Sequence, residues 1–283
     1  MEGKRLEERV FRVLMALSAL IVLGGLAAVV IVVLVRGLPA LTLEMVTQTP
    51  KGGYYLGKGG GVLNAILGSL CLAGGATLVA VVLALPMVCY LQKDYGGGSR
   101  LAALTRLSLD VMWGIPSIVY GAFVFALMRY VGLRASLLGG IIALSLLELP
   151  IMARAMQEVI RMVPAGLKES SYALGATRLE TAAKVVWRQS LPGILTAVFL
   201  AFGRGIGDAA SVLFTAGYTD NLPTSLTEPV ACLPLAVFFQ YNTPFPKVQQ
   251  RAYASGAILL AIVLLLSIIC RLLAKRSEAH IVK

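Results

Sequence analysis

Three runs of this chain contain no charged residue: Val13 to Val35, Val62 to Leu91 and Ala252 to Cys270. A bilayer core takes about 20 apolar residues to cross as a helix, and in lipid a helix satisfies its own backbone polar groups. Runs of this length therefore dictate membrane-spanning helices, and the rest of the chain must be arranged around them. A cleaved signal peptide competes for the first run, but that run exceeds a usual hydrophobic region and no small-residue cleavage site stands out. It is expected to remain as a span. Only 14 % of the residues are charged, against about a quarter in soluble globular chains.

Three interrupted stretches predict further spans. One covers Leu107 to Met128 with a break at Gly114 to Pro116; a second covers Ala135 to Ala155 and contains Glu148 and Pro150. A third begins near Leu191 and carries Arg204 and Asp208 in its middle. Pro86 predicts a kink in the second span. The fold class is thus an all-α integral membrane protein with six transmembrane helices. Glu2 to Arg12 reads as a short amphipathic lead-in, residues 36–61 as a Gly-rich polar connection, and Gln92 to Arg100 as a polar turn. Pro229 to Phe239 is too short to span and is broken by Pro234, so it is expected to be half-inserted or interfacial on the outer side. No internal repeat or separate soluble domain is visible.

The formal net charge of +11 suggests nucleic acid at first, but basic residues of membrane proteins gather in cytoplasmic loops. Six spans put both termini on one side. Seventeen Lys and Arg residues fall on that side, seven on the other, and Arg204 is left inside. This bias predicts cytoplasmic termini and removes the need for nucleic acid.

Little of the chain carries recognisable chemistry. Gly52 to Gly59, GGYYLGKG, follows the phosphate-loop pattern until Gly59 stands where a Ser or Thr would hold magnesium. It follows no strand and lies on the outer side, so a flexible outer loop is expected and the chain has no nucleotide engine of its own. The single histidine, His280, sits in the tail and rules out histidine triads and helical zinc motifs. Cys71, Cys89, Cys232 and Cys270 lack paired spacing and read as small core residues, with no metal site and no cofactor implied. Asp110, Glu148 and Asp208 leave a carboxylate-based membrane enzyme conceivable, but their spacing defines no catalytic pattern and no catalytic residue is assigned. Asp110 and Glu148 have two open readings, as residues of the cytoplasmic membrane boundary or as parts of a gate.

Arg204 and Asp208 are the sharper signal. An ionised side chain at bilayer depth costs about 2.5 to 3.5 kcal/mol on insertion scales, so such residues face a cavity or a partner. At i and i+4 on one helix the two can neutralise each other. Two readings remain: an internal ion pair without a substrate role, or an arginine contacting an anion path with Asp208 holding it while the anion is absent. Gly203 and Gly207 bracket the arginine as G-x-x-x-G, a small-residue face that predicts close approach of another helix.

Pro164 to Pro192, PAGLKESSYALGATRLETAAKVVWRQSLP, is a charged island between these runs. Pro164 suits a first helical turn, Gly175 the residue past a helix end, and Thr177 with Glu180 a capping box that starts the next helix. A short helix between two turns is predicted, with Leu167, Ser171 and Leu174 on one stripe and Lys168, Glu169 and Ser170 on another. Such an element is shaped to touch a partner.

Glu169-Ser170-Ser171 followed by Gly175, with Leu191-Pro192 closing the segment, resembles the EAA loop of ABC importer permeases, two serines replacing two alanines. Further stretches resemble the phosphate-specific Pst branch, most of all its PstA type. They are Gly60 to Ile66, Asp110 to Gly121 (DVMWGIPSIVYG), Leu149 to Met152, Gly203 to Ala216 and Pro223 to Pro234. Asp208 departs from that pattern, which usually has Glu there. The resemblance implies a type I ABC importer permease fold with a cytoplasmic coupling helix in a bacterial inner membrane. It further implies a division into a tail, extra helix and outer loop over 1–61, a core over 62–275 with the EAA loop at 164–192, and a cytoplasmic tail over 276–283. ATPase docking would fall to Leu167, Glu169, Ser170, Ser171, Leu174 and Gly175, and the substrate path to Arg204 and Asp208. The implied partners are a PstC-like second permease, two PstB-like ATPase subunits, a PstS-like extracytoplasmic phosphate-binding protein and the lipid bilayer. The implied function is ATP-driven phosphate import by alternating access, with another oxyanion such as molybdate or tungstate, or a gradient-driven transporter or channel, as alternatives.

Overall fold

The apolar runs become long helices. A computed structural model describes residues 2–51, 59–92 and 94–278, without the side chains of residues 2–6 and 276–278. In chain order the helices are α1 (Glu2–Gly37), α2 (Leu43–Thr47), α3 (Leu63–Tyr90), α4 (Arg100–Gly114), α5 (Ser117–Tyr130) and α6 (Leu137–Arg161). They continue with α7 (Ala165–Ala173), α8 (Arg178–Glu180), α9 (Trp187–Ile206), α10 (Leu233–Tyr241) and α11 (Pro246–Glu278). A π-helical run over Thr181–Val186 joins α8 to α9. Most of the phosphate-loop lookalike, together with Lys93 and His280, lies outside the described residues.

Five of these elements are long and apolar enough to cross a membrane, and α4 with α5 makes a sixth when the bent pair is counted as one span. The bend is 107°. Its cause is local: Pro116 offers no N–H, and Ile115 before it is pushed to an extended conformation at φ −74° and ψ 128°. The expected amphipathic lead-in is continuous with the first span, as α1 winds unbroken from Glu2. The connection after it is partly helical, because Thr42 caps α2 by accepting from the Met45 N–H at 3.2 Å and Met45 is buried.

Small residues let α3, α6 and α9 meet closely. Ala80, Ala84, Ala153, Ala197 and Ala201 are buried there around Met152 and Met156. With lipid tails as apolar as the side chains, such close van der Waals packing is what holds membrane helices together. A second cluster around Met45, Ala231, Leu233 and Ala254 ties α10 to α3 and α11. Helix α1 stands apart: the apolar window that qualifies it as a span is wholly exposed. It meets α11 at its C-terminal end, where a Cβ on Gly37 would lie 2.7 Å from the Tyr253 carbonyl oxygen and Arg36 donates to the Tyr253 hydroxyl at 3.1 Å.

Between α9 and α10 the backbone is not helical, yet its two ends, around Asp208 to Ala216 and Val230 to Cys232, are largely buried. Irregular backbone survives at membrane depth where protein surrounds it and satisfies its polar groups. The N–H groups of Ser136, Leu137 and Leu138 donate to the carbonyls of Thr215, Glu228 and Leu226, each at 2.8 Å. Asn64 Nδ2 donates to the Thr219 carbonyl at 2.7 Å. The Pro229 to Phe239 piece adds no seventh span; it runs into the nine-residue α10, which starts with Leu233, whose N–H donates to Ser69 Oγ at 2.8 Å. All four cysteines are free; Cys232 and Cys270 are buried, Cys89 is half-buried and Cys71 is exposed.

Candidate functional site

The island folds as its punctuation predicts, with one shift. Pro164 is the residue before the first turn of α7, at φ −56° and ψ 132°. At the other end Gly175 adopts φ +81°, a region that side chains rarely tolerate. The Gly175 N–H donates to the Tyr172 carbonyl at 2.9 Å and the Ala176 N–H to the Ser171 carbonyl at 3.1 Å. These two bonds form a Schellman ending. The capping box follows at once: Thr177 Oγ1 accepts from the Glu180 N–H at 3.3 Å, and Glu180 Oε2 accepts from the Thr177 N–H at 3.0 Å.

The six residues assigned to docking do not share one face. Leu167 packs on the core cluster of α3, α6 and α9, and the Ser171 hydroxyl lies 2.9 Å from that of Thr181. Both anchor α7 from beneath. Glu169, Ser170, Leu174 and Gly175 face outward, with Leu174 89 % exposed. Leu179 at 72 % exposure and Met162 at 74 % enlarge this apolar rim, and neither belongs to the EAA pattern.

A contact that the sequence did not announce fixes the island in place. Lys168 Nζ pairs with Asp94 Oδ2 at 3.2 Å, Arg178 Nη1 donates to the Asp94 carbonyl at 3.1 Å, and the Tyr95 hydroxyl donates to the Arg178 carbonyl at 2.6 Å. The turn after α3 thus grips both α7 and the start of α8. Arg106 in turn donates to the carbonyls of Leu91 and Gly97 at 2.8 and 3.0 Å, holding the turn against α4. A cavity of about 860 Å³ beside α7 is lined by Arg106, Arg161 and Glu169 among others.

Arg204 and Asp208 come together, but not on one helix as predicted. Helix α9 ends at Ile206 with Gly207 as its cap, so Arg204 occupies the last turn and Asp208 lies beyond the end. Arg204 Nη1 still donates to Asp208 Oδ1 at 2.9 Å, and Asp208 Oδ2 accepts from the Ser211 N–H, also at 2.9 Å. The carboxylate side chain is 5 % exposed and the guanidinium side chain 47 %. Asp208 is the fixed partner, and Arg204 reaches out from it.

It reaches between two grooves. One, of about 460 Å³, runs past Trp113, Ser117, Leu147, Pro150 and Leu200. The other, of about 470 Å³, separates α9 from α11 along Phe199, Ser267 and Arg271. Arg204 lines both. Gly203 has no atom within 4 Å of a notional Cβ and Gly207 has only its own helix's Gly203 carbonyl at 3.9 Å. The expected close approach of another helix at Gly203 and Gly207 is therefore not made among the described residues; the neighbouring Gly205 is the one whose place for a Cβ is filled, by Glu148.

Glu148 is fully buried in the middle of α6, with Oε2 accepting from Thr77 Oγ1 at 2.7 Å. Asp110 fits the boundary reading better: it is exposed and pairs with Arg154, whose guanidinium also donates to the Arg106 carbonyl at 3.2 Å.

The family described as "Binding-protein-dependent transport system inner membrane component" matches residues 81–282. The "Phosphate transport system permease protein PstA" of Haemophilus influenzae is 34 % identical over 259 residues, which are 90 % of this chain and 89 % of that one. The protein of the same name from Yersinia pestis is 34 % identical over 271 residues, 95 % of this chain and 90 % of that one. Among solved structures, an inward-facing MetNI methionine ABC transporter superposes with a TM-score of 0.63 at 18 % identity, covering 76 % of this chain and 95 % of that chain. The all-α, multi-pass architecture is that of a type I ABC importer permease. The chain belongs to the binding-protein-dependent transport system inner membrane component family, alongside the phosphate transport system permease proteins PstA.

Proposed function

We propose that this chain is the permease subunit of an ATP-driven phosphate importer in a bacterial inner membrane, with both termini cytoplasmic. The names of its relatives support the substrate, and the observation that carries the reading is Arg204. A half-exposed guanidinium, lining two grooves and tethered to a buried carboxylate, is an anion contact waiting for its anion. Guanidinium matches phosphate in charge and in paired hydrogen-bond geometry. Asp208 holds Arg204 between passages, and an arriving phosphate takes over the guanidinium while Ser211 keeps Asp208 in place. The open face at Gly203 and Gly207 is where a second, homologous permease closes the path.

Energy comes from outside the chain. Glu169, Ser170, Leu174 and Gly175 dock a separate ATPase subunit, with Leu167 and Ser171 anchoring α7 from below. Pro192 and Arg204 are 12 residues apart on α9, about 18 Å at 1.5 Å per residue. The island therefore acts on the path by moving whole helices, through the continuous winding from Arg178 to Ile206. Two ATPase subunits and an extracytoplasmic phosphate-binding protein complete the assembly. The core is 62–275, preceded over 1–61 by the tail, extra helix and outer loop and followed over 276–283 by a cytoplasmic tail.

Radiolabelled phosphate uptake into cells producing wild type or Arg204→Gln, with membrane abundance measured in parallel, tests the path. Wild-type uptake by Arg204→Gln would sink it. Uptake of molybdate or tungstate in place of phosphate would reassign the substrate, and purification without a nucleotide-binding partner would turn the reading towards a gradient-driven carrier.

A further inference from the structure

Glu148 is a group for which ion transport along the grooves has no use. It sits where α3, α6 and α9 converge, completely buried, one turn of α6 away from Leu144 and beside Pro150. One carboxyl oxygen accepts from Thr77; the other has no hydrogen-bond partner. That second oxygen occupies the place of a side chain on α9: a Cβ added to Gly205 would lie 1.9 Å from it.

Two physical facts fix its state. An ionised carboxylate buried without a counter-ion is far more costly than the neutral acid, and among the described residues no cation pairs with Glu148, since Arg204 is taken by Asp208. The last turn of α9 also presents the negative end of its helix dipole, which repels an anion. The carboxyl lies against that turn as an uncharged wedge. Arg204 precedes Gly205 and belongs to the same turn, while Leu147 and Pro150, flanking Glu148, line one of the grooves that Arg204 enters.

We infer that Glu148, as a neutral carboxylic acid bonded to Thr77 and seated on Gly205, is the positioning residue that sets the last turn of α9 and thereby aims Arg204. The inference rests on the reading of Arg204 as the anion contact. Glu148 touches no substrate; it acts through the backbone of α9.

The assembled transporter, reconstituted in proteoliposomes, tests this. Glu148→Gln keeps the size, the acceptor for Thr77 and the lack of charge, whereas Glu148→Ala removes the wedge. Phosphate uptake by Glu148→Gln is expected within about twofold of wild type, and by Glu148→Ala to fall about tenfold or more in maximal rate at equal complex content. Difference infrared spectra of wild type against Glu148→Gln are expected to show a buried protonated carboxyl band that the variant lacks. Uptake by Glu148→Gln as poor as that of Glu148→Ala, or full uptake by Glu148→Ala, overturns the inference; so does absence of the band. Should Glu148→Ala fail to assemble, Glu148→Gln and the infrared band decide. A wild-type complex that moves no phosphate defeats the proposed function, and the band still decides whether Glu148 is the neutral wedge.

Discussion

Arg204 donates to Asp208 across the end of a helix: the guanidinium belongs to the last turn of α9, the carboxylate to the buried turn that follows, and 2.9 Å separates them. The pair is lopsided. Asp208 has lost its water and has two donors; Arg204 keeps nearly half of its side chain open. An anion can reach only the open partner, and the tether decides where the guanidinium waits.

Asp208→Asn separates holding from contacting. Asn retains an acceptor for the Ser211 N–H but leaves Arg204 without a charge partner. Since a pair with one open member contributes about 1 kcal/mol or less, uptake is expected to fall by less than in Arg204→Gln while the protein accumulates normally. Uptake assays on both variants side by side make the comparison, and equal losses would mean that Asp208 does more than hold its neighbour.

Gly175→Val forces a β-branched side chain into a left-handed conformation, at a cost of about 1–2 kcal/mol or more, and breaks the ending of α7. Docking of an ATPase subunit is expected to weaken, read as loss of the nucleotide-binding partner on co-purification. Undiminished transport-linked hydrolysis would count against the docking role.

Thr177→Ala removes one half of the capping box and is expected to cost about 1 kcal/mol locally. Amide exchange over residues 178–181 should speed up roughly fivefold, with uptake nearly unchanged. No change in exchange would mean that the Glu180 side chain alone holds the turn.

Two glycines of α3 offer a matched pair. A Cβ on Gly68 would lie 1.9 Å from the Ala231 carbonyl oxygen, whereas Gly74 faces open space. Gly68→Ala is therefore expected to destabilise by about 1–3 kcal/mol, seen as a lower melting midpoint in detergent or poor accumulation. Gly74→Ala should melt as the parent does.

The spans and the island were legible because their signals are local. Charge-free runs imply helices wherever they pack, and Gly175, Thr177 and Glu180 impose their turns through their own backbone neighbours. What stayed hidden depends on distant partners. Nothing near Asp94 in sequence names Lys168 or Arg178, and Glu148 beside Pro150 reads equally well as a boundary residue until Thr77 and Gly205 close around it. Gly203 and Gly207 matched a packing pattern by spacing alone, while the contact went to Gly205, because α9 turns that position towards α6. Asp208 reads as mid-span because an apolar stretch gives no notice that the helix stops at Ile206.

The irregular segment between α9 and α10 carries a consequence for how the chain is made. Its carbonyls accept from Asn64, Ser136, Leu137 and Leu138, and it lies tight against Gly121, where a Cβ would approach the Ser211 carbonyl oxygen to 2.5 Å. Every one of these residues leaves the ribosome first. Lipid offers this backbone nothing to bond with, so a chain synthesised in the opposite order would strand it. In the order that exists, the socket is already in the membrane when the plug arrives, and a ribosome that stalls near Ile206 leaves an empty socket, not an exposed plug.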